Sequence, residues 1–304
     1  MACFHPRPLE VTMIDWAAHR KHREQIIADA GQWIGLLDAD GNPLMDLPPV
    51  VSMVAPETRN DPGSLELTVL CRSSRGIIHP VVTELIAKQL GVLSPEGKLV
   101  PVADRTRFVA IERAGVPRRV YWVTHTVARG DADAPATLTI HGVGLTKLLS
   151  RFPAMSAPTT WQQAFRRFER DWVGPENTKV VFSRPRELAG MKMVTVADGA
   201  TLDGPAEATI RRLIAESLAA AFRVAGITTD PPIQVATAPS GRPSPRILLR
   251  PTDGPLLEEV AQPAAAAGVI ITARMWWPGD PPVASLTLAL PTVVVTVEQA
   301  KELP

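Results

Sequence analysis

The chain has 304 residues, of which 45% are hydrophobic and 21% charged, with a formal net charge of +1. That length suits two domains, each with its own core, and the composition is ordinary for a globular protein. The even charge balance gives no global field toward nucleic acid or anionic lipid, so specific nucleic-acid binding is not expected.

In chain order, residues 12–30 read as a helix with Ile14, Ala17, Ala18, Ile26 and Ile27 on one side. His19-Arg20-Lys21-His22-Arg23 forms a basic, solvated middle, and Gly31 closes the helix as a C-cap. A strand at 33–37 leads into Asp38-Ala39-Asp40-Gly41-Asn42, whose residues tolerate positive φ and favour a hairpin turn. Strands follow at 50–55 and 64–71. The spacing of Ile78, Val82, Leu85, Ile86 and Leu90 predicts a helix over 77–90, with Pro80 in its first turn.

Residues 106–149 alternate with period two and are punctuated by Gly, Pro and Asp, which predicts three antiparallel strands running into a short helix. Past Arg151 the pattern changes. An aromatic-rich helix is expected over 161–172, bounded by Trp161 and Trp172, followed by weak strands near 179–182 and 193–196. Ile210, Leu213, Ile214, Leu218 and Phe222 recur at helical spacing and predict a helix over 205–224. Further strands are expected at 233–236, 246–250, 269–276, 285–290 and 292–297, with a helix at 256–267 that Pro263 shortens or kinks.

The expected fold is α+β and β-rich, with two antiparallel sheet or small-barrel domains and accessory helices. Its parts are an N-terminal helical arm (1–30), a first β-rich domain (31–150), a linker with the aromatic-rich helix (151–205) and a second α+β domain (206–304).

Patterns that carry chemistry are weak. His19 and His22 share a helix face, but Arg20, Lys21 and Arg23 flank them and repel a cation. His125 and His141 read as hydrogen-bonded sheet histidines. Cys3 and Cys71 read as free thiols, and Cys71 has no recognisable catalytic partner. Gly142-Val143-Gly144 is a faint echo of a dinucleotide loop without its third glycine. No catalytic, cofactor or metal residue is assigned, and no run approaches the ~20 apolar residues of a membrane span. Trp276-Trp277-Pro278-Gly279-Asp280 reads as a turn anchored by packed Trp residues, with a sugar-stacking platform as its functional alternative. Trp276, Trp277, Asp280, Trp161 and Trp172 are the candidate interaction residues.

Two stretches resemble the minor tail proteins at the tail tips of long-tailed actinobacterial phages. One is Tyr121-Trp122-Val123 followed by Leu138-Thr139-Ile140-His141-Gly142-Val143-Gly144 and Leu148-Leu149. The more specific is Arg250-Pro251-Thr252-Asp253, a helix, Met275-Trp276-Trp277-Pro278-Gly279-Asp280, then Leu286-Thr287-Leu288 and Pro291-Thr292-Val293-Val294-Val295. The resemblance implies a baseplate-hub subunit, made in the host cytoplasm and residing in the virion. It further implies a homotrimeric ring that meets the distal tail protein, the tape measure and other tail-tip subunits, with no enzymatic activity. Relatives continue past the Pro-Thr-Val-Val strand. Alternatives are a carbohydrate-binding tail protein using Trp276 and Trp277, and a glycan or peptidoglycan hydrolase with carboxylates on different strands.

Overall fold

The computed structural model describes residues 14–86, 92–93, 99–100, 106–130, 135–156, 165–170, 181–189 and 201–301. Helix α1 (Trp16–Ala30) starts where the Asp15 carboxylate accepts the Ala18 N–H at 2.9 Å, and ends at Gly31 (φ 78°). Strands β1 (Gln32–Leu37), β2 (Pro43–Asp46), β3 (Val50–Val54) and β4 (Ser64–Leu70) follow. Helix α2 is short, Pro80–Leu85, in place of the expected 77–90. Pro80 takes the first helical position, so the residue before it is pushed to extended backbone: His79 has ψ 142° and caps the helix through Nδ1. Ile78 meanwhile bridges Arg72, and residues 87–91 lie outside the described set.

Strands β5 (Val92–Leu93) and β6 (Leu99–Val100) pair with each other. Strands β7 (Phe108–Arg113), β8 (Val116–Gly130) and β9 (Pro135–Gly144) form the expected meander, and a 3-10 helix, Leu145–Arg151, completes it. Seven strands make one antiparallel, curled sheet in the order β2-β1-β7-β8-β9-β4-β3. Strand β8 is long enough to bend between partners: its first half pairs with β7 and its second half with β9. At Gly142 an added Cβ would stand 3.0 Å from the Trp122 carbonyl, so the glycines here serve close strand packing. The dinucleotide echo is thereby explained, since Gly142 and Gly144 belong to an antiparallel strand.

Residues 165–170, expected within the aromatic-rich helix, form strand β10 (Phe165–Arg170), antiparallel to β11 (Val181–Ala189). The run Phe165-Arg166-Arg167-Phe168-Glu169-Arg170 is short, and a partner strand offering a ladder overrides its helical spacing. Trp161, Trp172 and the weak strand at 193–196 lie outside the described residues.

The C-terminal part holds β12 (Leu202–Pro205), α3 (Ala206–Val224), β13 (Ile233–Val235), β14 (Arg246–Leu249), α4 (Leu256–Ala266), β15 (Val269–Trp276) and β16 (Thr292–Gln299). Strand β16 is central, parallel to β13 and antiparallel to β15. Residues 285–290, expected as a strand, are loop. Both sides of β16 are taken, and the outer side of β15 is blocked at its start. The block is Asn60, on the loop before β4: its side-chain amide donates to the Val269 carbonyl at 2.7 Å and accepts the Ile271 N–H at 2.8 Å. One buried Asn thus imitates a neighbouring strand.

Two apolar clusters lie on either side of the curled sheet. On one side are Ile34, Leu36, Leu67, Val109, Ile111 and Ile140, covered by Val81 and Leu85 of α2. On the other, Trp33, Leu37, Phe108 and Val120 join Ile210, Leu213, Val269, Val295 and Trp277 in one cluster. This second core is therefore shared across the sequence boundary near residue 150. Strands β1 and β7 are buried on both faces, which is why they read as continuous apolar runs.

Asn60 has φ 57°, which Asn and Gly tolerate and Ala does not. Asn60→Gly keeps that conformation but removes the amide. It is expected to cost about 1–3 kcal/mol, the penalty for stranding buried backbone groups. Urea unfolding of wild type and variant measures it.

Candidate interaction site

The residues singled out from the Trp276–Asp280 turn fall at the junction of α1, the curled sheet and β15. Trp277 is fully buried. Its indole N–H donates to the Gly41 carbonyl at 2.9 Å, tying the β15 end to the Asp38–Asn42 turn. Gly41 has φ 82°, and a Cβ there would stand 2.8 Å from Met275, so the turn glycine is needed for both conformation and approach. The Trp277 ring is surrounded by Trp16 at 5.7 Å, His19 at 5.4 Å and Trp33 at 6.0 Å between centroids. Two guanidinium groups lie over it, Arg118 at 3.7 Å and Arg23 at 4.8 Å from the centroid.

The charges are paired in a chain. Arg23 and Arg118 both donate to Glu112 Oε2, the latter at 2.8 Å. Arg118 also grips Asp280 with both terminal nitrogens, at 2.8 and 3.1 Å. Asp280 Oδ2 accepts the Trp277 backbone N–H at 2.9 Å, which closes the turn. Burial pushes the Asp280 carboxyl up, but the Arg118 hydrogen bonds and charge outweigh it and hold the group below its usual range. Burial lowers Arg23, and the neighbouring Arg118 charge adds to that. His19 is lowered from 6.5 to about 4, first by burial and then by the Arg23 and Arg118 charges. Asp46 extends the network, accepting the Trp33 indole N–H at 2.6 Å and facing His22 Nε2 at 2.6 Å.

Three expectations change here. A Trp276–Trp277 sugar platform is not formed, because Trp277 presents no surface and the Trp276 indole N–H is bonded to the Pro281 carbonyl at 3.0 Å. Helix α1 does not reach out as an arm; Trp16, Ile26 and Ile27 pack on its own chain's core. Arg23, read as part of a solvated basic face, is buried, because Glu112 and the Trp277 ring replace its water. Nothing in the local sequence marks Arg118, Glu112 or Asn60; their roles follow from register and long-range docking.

The outer surface has a different character. Among the described residues, large exposed apolar side chains stand on single-partner strands (Leu44 on β2, Val51 and Val54 on β3, Leu248 on β14) and also on β8 (Val116 and Val127). Leu70, on β4, and Ile77 and Ile78, just beyond its end, add to the β3 margin. Val51 and Val54 are 56% and 61% exposed, on a strand with one partner in the sheet. Across β8 and β9 the His125 and His141 rings stack at 4.3 Å with an 8° interplanar angle. No three His, Cys, Asp or Glu among the described residues are grouped so as to hold a metal ion as they stand. No described helix is long and apolar enough to cross a membrane. An open cleft of about 340 Å³ runs between the loop before β4, β8 and β15; of its acids Glu57 and Asp61, Glu57 faces Arg119 at 3.9 Å.

Compared with known proteins, the chain matches no family model and no curated protein.

Trp277→Ala is expected to lower the unfolding free energy by about 3–5 kcal/mol, since it opens a cavity and leaves the Gly41 carbonyl and two arginines without their partner. Chemical denaturation checks this. His19, with its folded pKa depressed to about 4 against 6.5, leaves the unfolded chain binding more protons between those values. Stability is therefore expected to fall as pH drops from 6.5 toward 4. The loss should be smaller in His19→Gln, the remainder coming from His79, which burial also lowers.

Proposed function

We propose that this chain is a structural, non-enzymatic subunit of a phage tail tip, a hub or minor tail protein that self-associates into a ring. One observation carries the reading: β3, a strand with one partner in the sheet, exposes Val51 and Val54, while the junction between the two halves is locked by paired charges. Sheet margins of that kind are templates for association, and a ring of copies covers them. The buried ionic chain at Arg118 fixes the relative placement of the parts, which suits a building block more than a mobile catalyst. Asp280, the acid nearest the candidate turn, is bound by Arg118 and by backbone, so it is poorly placed to donate a proton.

The two stretches that resemble minor tail proteins supply the setting. The ring is a homotrimer in the virion, it closes or extends the tail tube, and its neighbours are the distal tail protein, the tape measure and further tail-tip subunits.

Light scattering coupled to size exclusion tests the reading, with negative-stain images for symmetry. A trimeric ring is expected for the wild type. The double substitution Val51→Lys, Val54→Lys should give monomers with an unchanged thermal midpoint, because both side chains are exposed in the single chain. A wild type that stays monomeric at high concentration overturns the proposal.

A further inference from the structure

Val127 is 38% exposed, although its strand stands between two others in the sheet order. Register accounts for it. Strand β7 accompanies β8 only as far as Trp122, opposite Phe108, with one further bond from the Val123 N–H to the Arg107 carbonyl at 2.9 Å. Strand β9 joins only from Tyr121 onward. From Thr126 to Gly130, β8 therefore has β9 on one side and no described strand on the other. The irregular pairing at Thr124 marks the bend, since a bulge turns a strand and raises its twist. Val127, Ala128, Arg129 and Gly130 are all exposed. The distal half of β8 is thus an open margin hidden in the middle of the strand order.

A ring needs such a margin in addition to β3. Pairing β3 with β3 is self-complementary and stops at a two-fold dimer, whereas a ring of three joins two different surfaces head to tail. The other margins are poorly suited. Strand β2 has four residues and begins at Pro43. Strand β14 has four residues and lies between Pro245 and Pro251, which have no N–H to extend a ladder. The outer side of β15 is held by Asn60 at its start and by Arg118 near its end. The first half of β8 faces the cleft toward β15 within the same chain. What remains is β3 and the distal β8, Val50–Val54 and Thr126–Gly130, each offering about 17 Å of ladder. Strand β3 carries no charge and the β8 segment only Arg129, so no like charges meet across the pair. Val51 and Val54 on one margin and Val127 on the other are β-branched side chains, which pack well across a ladder.

We infer that β3 of one copy adds to the open side of the distal β8 of the next copy, a junction that rests on the ring reading proposed above. Main-chain hydrogen bonds then extend the neighbour's sheet, as in strand addition generally. Each copy uses each margin once, so the ring closes with neither margin left over.

Two variants of the full chain test the junction. Val51→Lys with Val54→Lys blocks β3. Val127→Lys with Ala128→Lys puts a cation on each face of the distal β8, because successive strand residues point to opposite faces. All four side chains are exposed in the single chain, so both variants should keep a cooperative thermal transition. Light scattering coupled to size exclusion should show each variant alone as a monomer. Mixed in equal amounts, they should give a heterodimer and nothing larger, since the mixture holds one intact β3 margin and one intact β8 margin per pair. Val127→Glu with Ala128→Glu should behave as the lysine pair does, which separates a blocked margin from an effect of lysine on folding. A wild-type ring that persists in the β8 variants overturns the inference and leaves the ring reading standing. So does a dimer formed by a β8 variant alone, which marks β3–β3 pairing, or a mixture that stays monomeric while the wild type forms a ring. A monomeric wild type overturns the ring reading and the junction with it.

Discussion

The arrangement rests on a tryptophan that has no surface. Trp277 directly follows β15, and its ring sits among α1, β1 and β8, with Arg118 over it and its indole N–H on the Gly41 carbonyl. Each contact belongs to a different stretch of sequence, so the residue can be seated only when all of them are in place. The cost is the burial of charge. Removing guanidinium and carboxylate groups from water costs several kcal/mol per ion unless every remaining donor is met. Arg118 meets that condition through Glu112, both oxygens of Asp280 and, more distantly, the Met275 carbonyl. Replacement of one partner would leave the others stranded, which makes the cluster a device for specifying one docking geometry.

That geometry explains the double-sided strands. With Trp277 seated, β1 and β7 have the cluster under α2 on one side and helix α3, helix α4 and β15 on the other. A strand covered on both faces loses the apolar–polar alternation expected of an exposed antiparallel sheet. The strands that keep alternation, β4 and β9, are those whose outer face meets solvent: Leu65, Leu67 and Val69 point in, while Glu66, Thr68 and Leu70 point out. The burial pattern thus records where the second half of the chain docks.

How much of this was legible in sequence depended on how local its cause was. Helix α3 followed directly from Ile210, Leu213, Ile214 and Leu218, because one stripe meets one core. The 106–149 meander followed from period-two alternation and turn residues. Misreadings arose where a distant partner decided. The β10 segment took a strand partner eleven residues or more away, and Arg23 became a core residue because Glu112 arrives from β7. Trp277 read correctly as a packed anchor, but its partners could not be named without the fold. His125 and His141 carry sixteen residues of spacing, and only the irregular pairing at Thr124 makes them neighbours. Fold class, by contrast, is a sum over many local signals, and β-rich α+β emerged from them.

The treatment of strand edges separates margins that are closed from margins left open. Asn60 occupies the outer side of β15 with an amide in place of a strand, and Arg118 reaches the Met275 carbonyl further along the same side. Strand β2 begins at Pro43, which offers no N–H, and its pairing with β1 is irregular at Leu37. Strand β3 has no equivalent cover. Its bulge at Val51 turns an apolar side chain outward, Val54 follows on the same exposed margin, and no charged residue lies within the strand. A chain that blocks some edges with buried amides and guanidinium groups, and leaves another apolar, distinguishes contacts it excludes from a contact it permits. The margin beside β3 is the one that the proposed ring would cover.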